Sequence, residues 1–519
     1  MSDGQKIMRA AGFLMGANLV SRLLGFVRES LMAGLFGKTA ATDAYNTAFI
    51  LPDLVYWLLV GGILSAAFIP VLSGYIADKR EKEGWIVVSS IINLIFILLC
   101  LLVAAALFAV PAFVEWQAPG FTPENRILTI RLCRILLLQP VVLAFSGIAM
   151  GILNSYKIFW PSAVGAVLYN ACIIICGGLS ADVSRPESIS GFAFGVVLGA
   201  LVNFLVQAPF LRRVGFAYRP VIDWRRPGVR KIVALALPMI AMYALNQLQV
   251  VVNTNLASAL PAGSVSAVWY SYRLFQLPVG IFAIAIGVAV LPTLSEQAAL
   301  RQRAEFVATL SEAIRTIAFI TIPISVFFVV LRFPLIRLLF EHGEFGPADT
   351  AATAMPLYFF AFGISAQAVL QILPRGFYAM QNTWMPVLLG AVAMAATVAM
   401  MFLFIGPLAH GGLALATSLG VMLQDVLLYF VLRQRTGGLD GWRILGALAK
   451  TTLISAVMGL AVWQWSALAV VWWGTGKFAS CLVLATSCLI GIFVFAVFAA
   501  LLRMPELRSA LGLVGRRFR

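Results

Sequence analysis

Apolar runs of roughly 20 residues recur from one end of this chain to the other, separated by short polar breaks. A helix of that length crosses the hydrocarbon of a bilayer, and each run is too long for the strand of a transmembrane barrel. The chain therefore reads as an all-α polytopic membrane protein. With 61% hydrophobic and 11% charged residues it has no room for a soluble domain of ordinary size. The first run is too long for a signal peptide and lacks a small-residue cleavage site, so it reads as a retained helix. Counting runs between breaks gives fourteen transmembrane spans.

A net charge of +16 would suggest nucleic acid in a soluble protein, but here its distribution speaks of topology. Most of the 37 Lys and Arg residues fall in alternate loops, among them Lys79, Arg80, Lys82, Arg212, Arg213, Arg225, Arg226 and Arg435. The positive-inside rule then places both termini in the cytoplasm. The densest basic stretch, "LRRVGFAYRPVIDWRRPGVRK", separates span six from span seven and reads as a linker lying against anionic lipid. Six cysteines (Cys100, Cys133, Cys172, Cys176, Cys481 and Cys488) lie within spans, without CxxC spacing or a nearby histidine. They read as buried structural residues and not as disulfides or metal ligands.

The chain resembles itself across the linker. "GILNSYKIFWPSAVG" aligns with "GFYAMQNTWMPVLLG", matching Gly151, Pro161 and Gly165 with Gly376, Pro386 and Gly390. "FIPVLS" aligns with "VLPTLS", matching Pro70 with Pro292, and "GFAFGVVLG" aligns with "GLALATSLG". The expected organisation is an N-terminal lobe over 1–211 (helices 1–6), a basic linker over 212–228, a C-terminal lobe over 229–434 (helices 7–12), and helices 13–14 with a tail over 435–519. Six is even, so the lobes are parallel repeats about an axis along the membrane normal, around a central cavity. That is the architecture of a transporter that rocks one half against the other.

Charges inside spans mark the site. In "SRLLGFVRESLMAG", Arg22 lies about 18 Å along the first helix from Ala10, near mid-bilayer, and Arg28 about 9 Å further. A central charge costs about 2.5 to 3.5 kcal/mol on insertion scales, so such residues face a cavity or a partner. Glu29, seven residues after Arg22, shares its face; it either balances Arg22 or takes part in gating. Asp43 opens the second span, and Arg273 stands near the start of the eighth. A guanidinium makes two charge-assisted bonds to a phosphate and stays charged in a low dielectric, so this cluster points to an anionic cargo. Arg131, Arg134 and Asp425 read as structural pairs or gate elements. Pro52, Gly61 and Gly62 in span two, and Pro278, Gly280 and Gly287 in span eight, mark bends or close helix packing. His342 and His410 sit singly and no acidic cluster accompanies them, so an enzyme acting on lipid-linked sugars is disfavoured.

"SRLLGFVRES", "ATDAYNTAFILPDLVYWLLVGGILSAAFIPVLSGY", "GILNSYKIFWPSAV", "YRLFQLPVGIFAIAIGVAVLPTLS", "LLFEHGEF" and "GFYAMQNTWMPV" together resemble the MurJ (MviN) lipid II flippases, within the multidrug/oligosaccharidyl-lipid/polysaccharide exporter superfamily. The resemblance runs through spans one to twelve in order. It implies a non-enzymatic flippase of the bacterial inner membrane that carries lipid II, an undecaprenyl-pyrophosphate-linked precursor, from the cytoplasmic to the periplasmic leaflet by alternating access. It implies cavity roles for Arg22, Arg28, Asp43 and Arg273, and a groove for the lipid tail formed with helices 13 and 14. Bilayer lipids and other cell-wall synthesis proteins are further candidate partners. Departures are Tyr56, Trp57 and Gly61, where relatives carry an arginine pair and a glutamate, and Tyr272, where some carry an acid. Some members bind sodium through helices seven and eleven; span eleven here has neither Asp nor Asn, with Met401 in the amide's place, leaving Asn253 and Thr417 as weak candidates. The alternative cargo is another polyprenyl-linked glycan or an amphipathic drug.

Overall fold

No water bonds to a bare amide in hydrocarbon, so a crossing segment must close its hydrogen bonds within itself. The computed structural model describes residues 3–61 and 68–507, and among them every regular element is helical. The helices are α1 (Asp3–Phe36), α2 (Ala40–Ala48), α3 (Ile50–Tyr56), α4 (Ile69–Ala77), α5 (Glu81–Gln117), α6 (Pro123–Leu136), α7 (Gln139–Ser155), α8 (Trp160–Ser180) and α9 (Ser190–Arg213). There follow α10 (Pro227–Ser258), α11 (Ser264–Pro278), α12 (Ile284–Ala299), α13 (Arg303–Phe340), α14 (Pro347–Val369), α15 (Leu373–Ala379), α16 (Trp384–Thr436), α17 (Gly441–Trp473) and α18 (Lys477–Leu501). Gly62 and the tail beyond Leu507 lie outside the described residues.

Eleven stretches among the described residues are long and apolar enough to cross a membrane, against fourteen spans read from the sequence. Much of the difference is α16. Its 53 residues would extend about 80 Å, more than twice the hydrocarbon thickness, and they form two helices that meet at Ala409, where φ is 46° and ψ −133°. It therefore holds two of the sequence's runs. The first run carries Arg22, Arg28 and Glu29, and the second is crossed by 62–67, which lie outside the described residues. Many large apolar side chains on the outside suit a bilayer and not water: Phe108 is 88% exposed and Val471 80%. Cys481 and Cys488 are exposed on α18 rather than buried, whereas Cys133 is buried.

The chain gathers into two compact units, Met1–Val265 with His342–Phe345, and Ser266–Glu341 with Gly346–Arg519. This division by contact falls after α10, whereas the division by repeat begins the second lobe at α10. The physical reason is that α10 packs against α3 and α5, and Gln117 Nε2 donates to Val251 O at 2.9 Å.

Within the first unit α8 lies along both α9 and α1. Gly191, Gly195 and Gly199 line one face of α9, and a Cβ at Gly199 would sit 2.7 Å from Tyr169 O. Small residues at this spacing let two backbones approach, which is how membrane helices gain contact without a hydrophobic drive. Polar links reinforce the packing: Gln207 Nε2 donates to Ser146 Oγ at 2.8 Å, and Asn170 Nδ2 donates to Ser21 Oγ at 3.2 Å.

In the second unit α13 is flanked by α14, α17 and α18, and α14 by α16. Leu310, Ile314 and Ile317 of α13 share a core with Phe377, Leu428 and Leu432. Arg315, an intramembrane charge, is paired with the buried Glu506 at 2.6 Å.

The two units share a local irregularity. The first unit's α3 runs into a π-helical turn at Trp57–Gly61, and α11 runs into one at Val279–Ala283. These two turns stand apart by the same interval as Pro70 and Pro292. Such wide turns interrupt α-helices chiefly at functional sites.

Candidate functional site

The site residues of the first unit lie along α1 and the start of α2. Arg22 is exposed, with no ion-pair partner among the described residues. Arg28 is half-buried, and its Nη2 lies 2.6 Å from Glu29 Oε1. Glu29 itself is only 8% exposed. The sequence left Glu29 as the counter-ion of Arg22 or as a gate element, and the structure pairs it with Arg28. The reason is distance: residues seven apart on a helix stand about 10.5 Å apart along its axis, too far for such a contact. Neighbours on a helix normally point apart, so this pair forms only because Glu29 is turned into the protein and Arg28 bends to follow it. An uncompensated carboxylate there would be costly, and the guanidinium removes that cost.

Asp43 sits in the first turn of α2, where a negative charge favours the helix N-terminus. The turn is shaped locally: Thr39 N donates to Thr42 Oγ1 at 3.0 Å, and Thr39 Oγ1 donates to Phe36 O at 2.8 Å. Asp43 is 2% exposed, and its Oδ2 accepts the Gly263 N–H at 2.6 Å. Gly263 has φ +85°, a conformation side chains rarely adopt, and a Cβ there would run into Lys38 O. Asp43 thus holds the α10–α11 turn against the α1–α2 corner, which the spacing of the two segments in the sequence does not reveal. The sequence "PAGS" around Gly263 is the signal that a tight turn occurs there.

The segment His342–Phe345, part of the "LLFEHGEF" motif, reaches the same corner as a strap. Glu344 N donates to Gly34 O at 2.9 Å, and Gly343, at φ +57°, could carry a Cβ only by striking that carbonyl. Nothing in local sequence pattern announces this contact between Gly34 and a segment some three hundred residues later.

In the second unit Arg273 is exposed on α11, with its guanidinium carbon 5.4 Å from the centre of the Trp269 ring. This i, i+4 pair stands beside an aromatic group: Tyr272 and Phe275 each pack on Phe360, with centroids 5.7 and 5.3 Å away. Tyr272 OH accepts from Gln276 Nε2 at 2.7 Å. Trp57, one of the departures noted above, stacks on Tyr243 of α10 at 4.7 Å. Arg131 pairs with Glu187 at 3.0 Å in an exposed contact.

Among the described residues no three His, Cys, Asp or Glu side chains gather as metal donors. Thr417, in the second unit, donates its hydroxyl to Leu413 O at 2.9 Å, and Asn253 lies in the first unit.

Comparisons with known proteins bear on this arrangement. A family model described as "Lipid II flippase MurJ" matches residues 32–484. A probable lipid II flippase MurJ of Vibrio cholerae is 32% identical, over 98% of this chain and 98% of its own length. Among solved structures, a lipid II flippase MurJ in an inward closed conformation superposes with a TM-score of 0.78 at 25% identity, covering 94% of this chain and 98% of its own. An inward-facing multidrug transporter of the MATE family superposes with a TM-score of 0.65 at 17% identity, over 81% and 96%, which shows the shared fold alone. By the extent of the family match and the identity to its members, this chain belongs to the MurJ family.

Proposed function

We propose that this protein is a flippase for lipid II, moving the undecaprenyl-pyrophosphate-linked precursor from the cytoplasmic to the periplasmic leaflet of the bacterial inner membrane by alternating access. The family match along nearly the whole chain supports the cargo. The observation that carries the mechanism is the placing of guanidinium groups on helices otherwise apolar enough to meet lipid.

In this reading Arg22 of the first unit and Arg273 of the second are each a ligand for the anionic head of the cargo, both exposed and each offering a planar fork of donors. Arg28 gives one donor to Glu29 and keeps the rest of its fork for the cargo's head. Asp43 positions rather than binds, because its carboxylate is committed to the Gly263 backbone. The lipid tail stays in the bilayer beside α17 and α18. An anionic head carried outward from an inside-negative cytoplasm moves down the membrane potential, worth about 2.3 kcal/mol per elementary charge per 100 mV. That gradient is the proposed driving force, with both termini cytoplasmic.

The test is depletion of the protein, followed by an enzyme added from outside that modifies lipid II only in the outer leaflet. Loss of accessible lipid II on depletion is the expected result. Unchanged accessibility would refute the cargo and leave another polyprenyl-linked glycan or an amphipathic drug as the candidate.

A further inference from the structure

The second unit encloses a cavity of about 730 Å³ between α13, α14, α16 and the start of α17. Its wall is apolar and aromatic, with Ile322, Phe362, Phe430, Trp442 and Leu445 prominent. Phe362, Phe430 and Leu445 are also exposed on the outer surface, so the cavity opens sideways towards lipid. Among the described residues its lining comes from α13 to α17, so α11, which carries Arg273, takes no part in it.

Two charged side chains line this wall, Arg433 on its exposed side and Asp425 within it. Asp425 Oδ1 is shielded from solvent and has no hydrogen-bond partner among the described residues. The neighbouring polar groups do not serve it. Tyr429 OH donates to Leu439 O at 3.0 Å, and Arg433 lies eight residues on, about 12 Å along the same helix, with an exposed side chain. An unbonded carboxyl in an apolar wall costs free energy, and an ionisable group inside the membrane marks a site by default.

The chemistry of the wall selects the ligand. A metal ion needs several oxygens, and the cavity offers a single carboxyl. An anion could meet Arg433 on the exposed side but offers Oδ1 no donor, and an acyl chain fills the space while leaving Oδ1 unbonded. An amine on an apolar body meets both demands. Its N–H donates to the carboxylate, its charge is balanced there, and aromatic faces such as Phe362 and Phe430 attract the cationic end. The volume suits a molecule of drug size.

We propose that this lateral pocket of the second unit binds lipophilic amines drawn from the bilayer, with the ammonium group on Asp425.

The test uses the full chain in phosphatidylcholine nanodiscs, with an alkylamine carrying a dansyl group at its far end and the matching alcohol as probes. Energy transfer from tryptophan to dansyl reads binding, since Trp442 lines the cavity. The amine should saturate, with the alcohol binding about ten- to a hundredfold more weakly, the worth of a charge-assisted hydrogen bond. Asp425→Asn should bring the amine down to the alcohol's affinity, and Ala366→Phe, which fills the cavity, should weaken both probes. Equal affinity of amine and alcohol, absence of saturation, or an unchanged amine affinity in D425N would overturn the proposal. Full-strength amine binding in A366F would overturn it too, by placing the amine elsewhere.

Discussion

The corner formed by α1 and α2 and the helix α11 both bring charge into apolar surroundings, and they treat it in opposite ways. At the corner, Arg28 is bonded to a buried Glu29 and Asp43 to a backbone amide, so charge is part of what holds the first unit together. On α11, Arg273 lies exposed with its guanidinium over the Trp269 ring, beside the packed pair Phe275 and Phe360. The lesson is that an intramembrane arginine has two separable roles, and a loss of transport alone does not tell them apart. Measuring stability beside transport does.

The largest contrast is expected at Arg28. Arg28→Ala strands the Glu29 carboxylate and should cost about 3 kcal/mol of stability together with the ability to support growth of depleted cells. Adding Glu29→Gln should return most of the stability and none of the growth, as read by thermal unfolding in detergent and by complementation. If E29Q restored growth as well, Arg28 would be a structural residue only.

Asp43 comes next. Asp43→Ala leaves the Gly263 N–H without its buried acceptor, at about 1 to 3 kcal/mol, and faster hydrogen exchange at Gly263 is the direct readout. Gly343→Val should have an effect of similar kind at the strap, with faster exchange at Glu344, because a side chain there meets Gly34 O. Unchanged exchange in both variants would remove the corner's claim to be built on these two contacts.

Arg22→Ala and Arg273→Ala should change stability by no more than about 0.5 kcal/mol, as exposed substitutions do, while abolishing complementation at matched membrane levels. Full growth with all three arginine variants would dismiss the pyrophosphate assignment.

The smallest effect lies outside the spans. Tyr156 follows α7 and donates to Glu81 Oε2 at 3.1 Å. Burial, and then the bond to Glu81, push its phenol up to about 12. A phenol raised in the folded state stabilises below its unfolded value of about 10 and ceases to do so as the pH climbs from there through 12. A small loss of thermal stability over that window, absent in Tyr156→Phe, is the expected outcome.

The parts of the structure legible in the sequence are those that leave a compositional mark. Apolar runs became helices, the glycine spacing of "GFAFGVVLG" became the α8–α9 contact, and Arg22 and Arg28 stood out because charge is rare in such runs. The break at "IGPLAHGG" separates two spans, and the backbone leaves the helical conformation there, at Ala409 within α16. Other features had no such mark. The Arg28–Glu29 pair depends on which way Glu29 turns, and helical spacing argued for Arg22 instead. The bonds from Asp43 to Gly263 and from Glu344 to Gly34 join segments far apart in the chain through backbone atoms, which every residue possesses. The grouping of α10 with the first unit follows packing, which the likeness of "FIPVLS" to "VLPTLS" does not register.

The two wide turns match in position and not in letters. A π-helical turn holds one more residue than an α-helical turn, so it amounts to a single insertion that rotates everything after it by about 100°. The turns at Trp57–Gly61 and Val279–Ala283 stand apart by the interval that separates Pro70 from Pro292, although one reads "WLLVG" and the other "VGIFA". What the two segments have in common is a kink in a hydrogen-bond ladder, a likeness of geometry and not of letters.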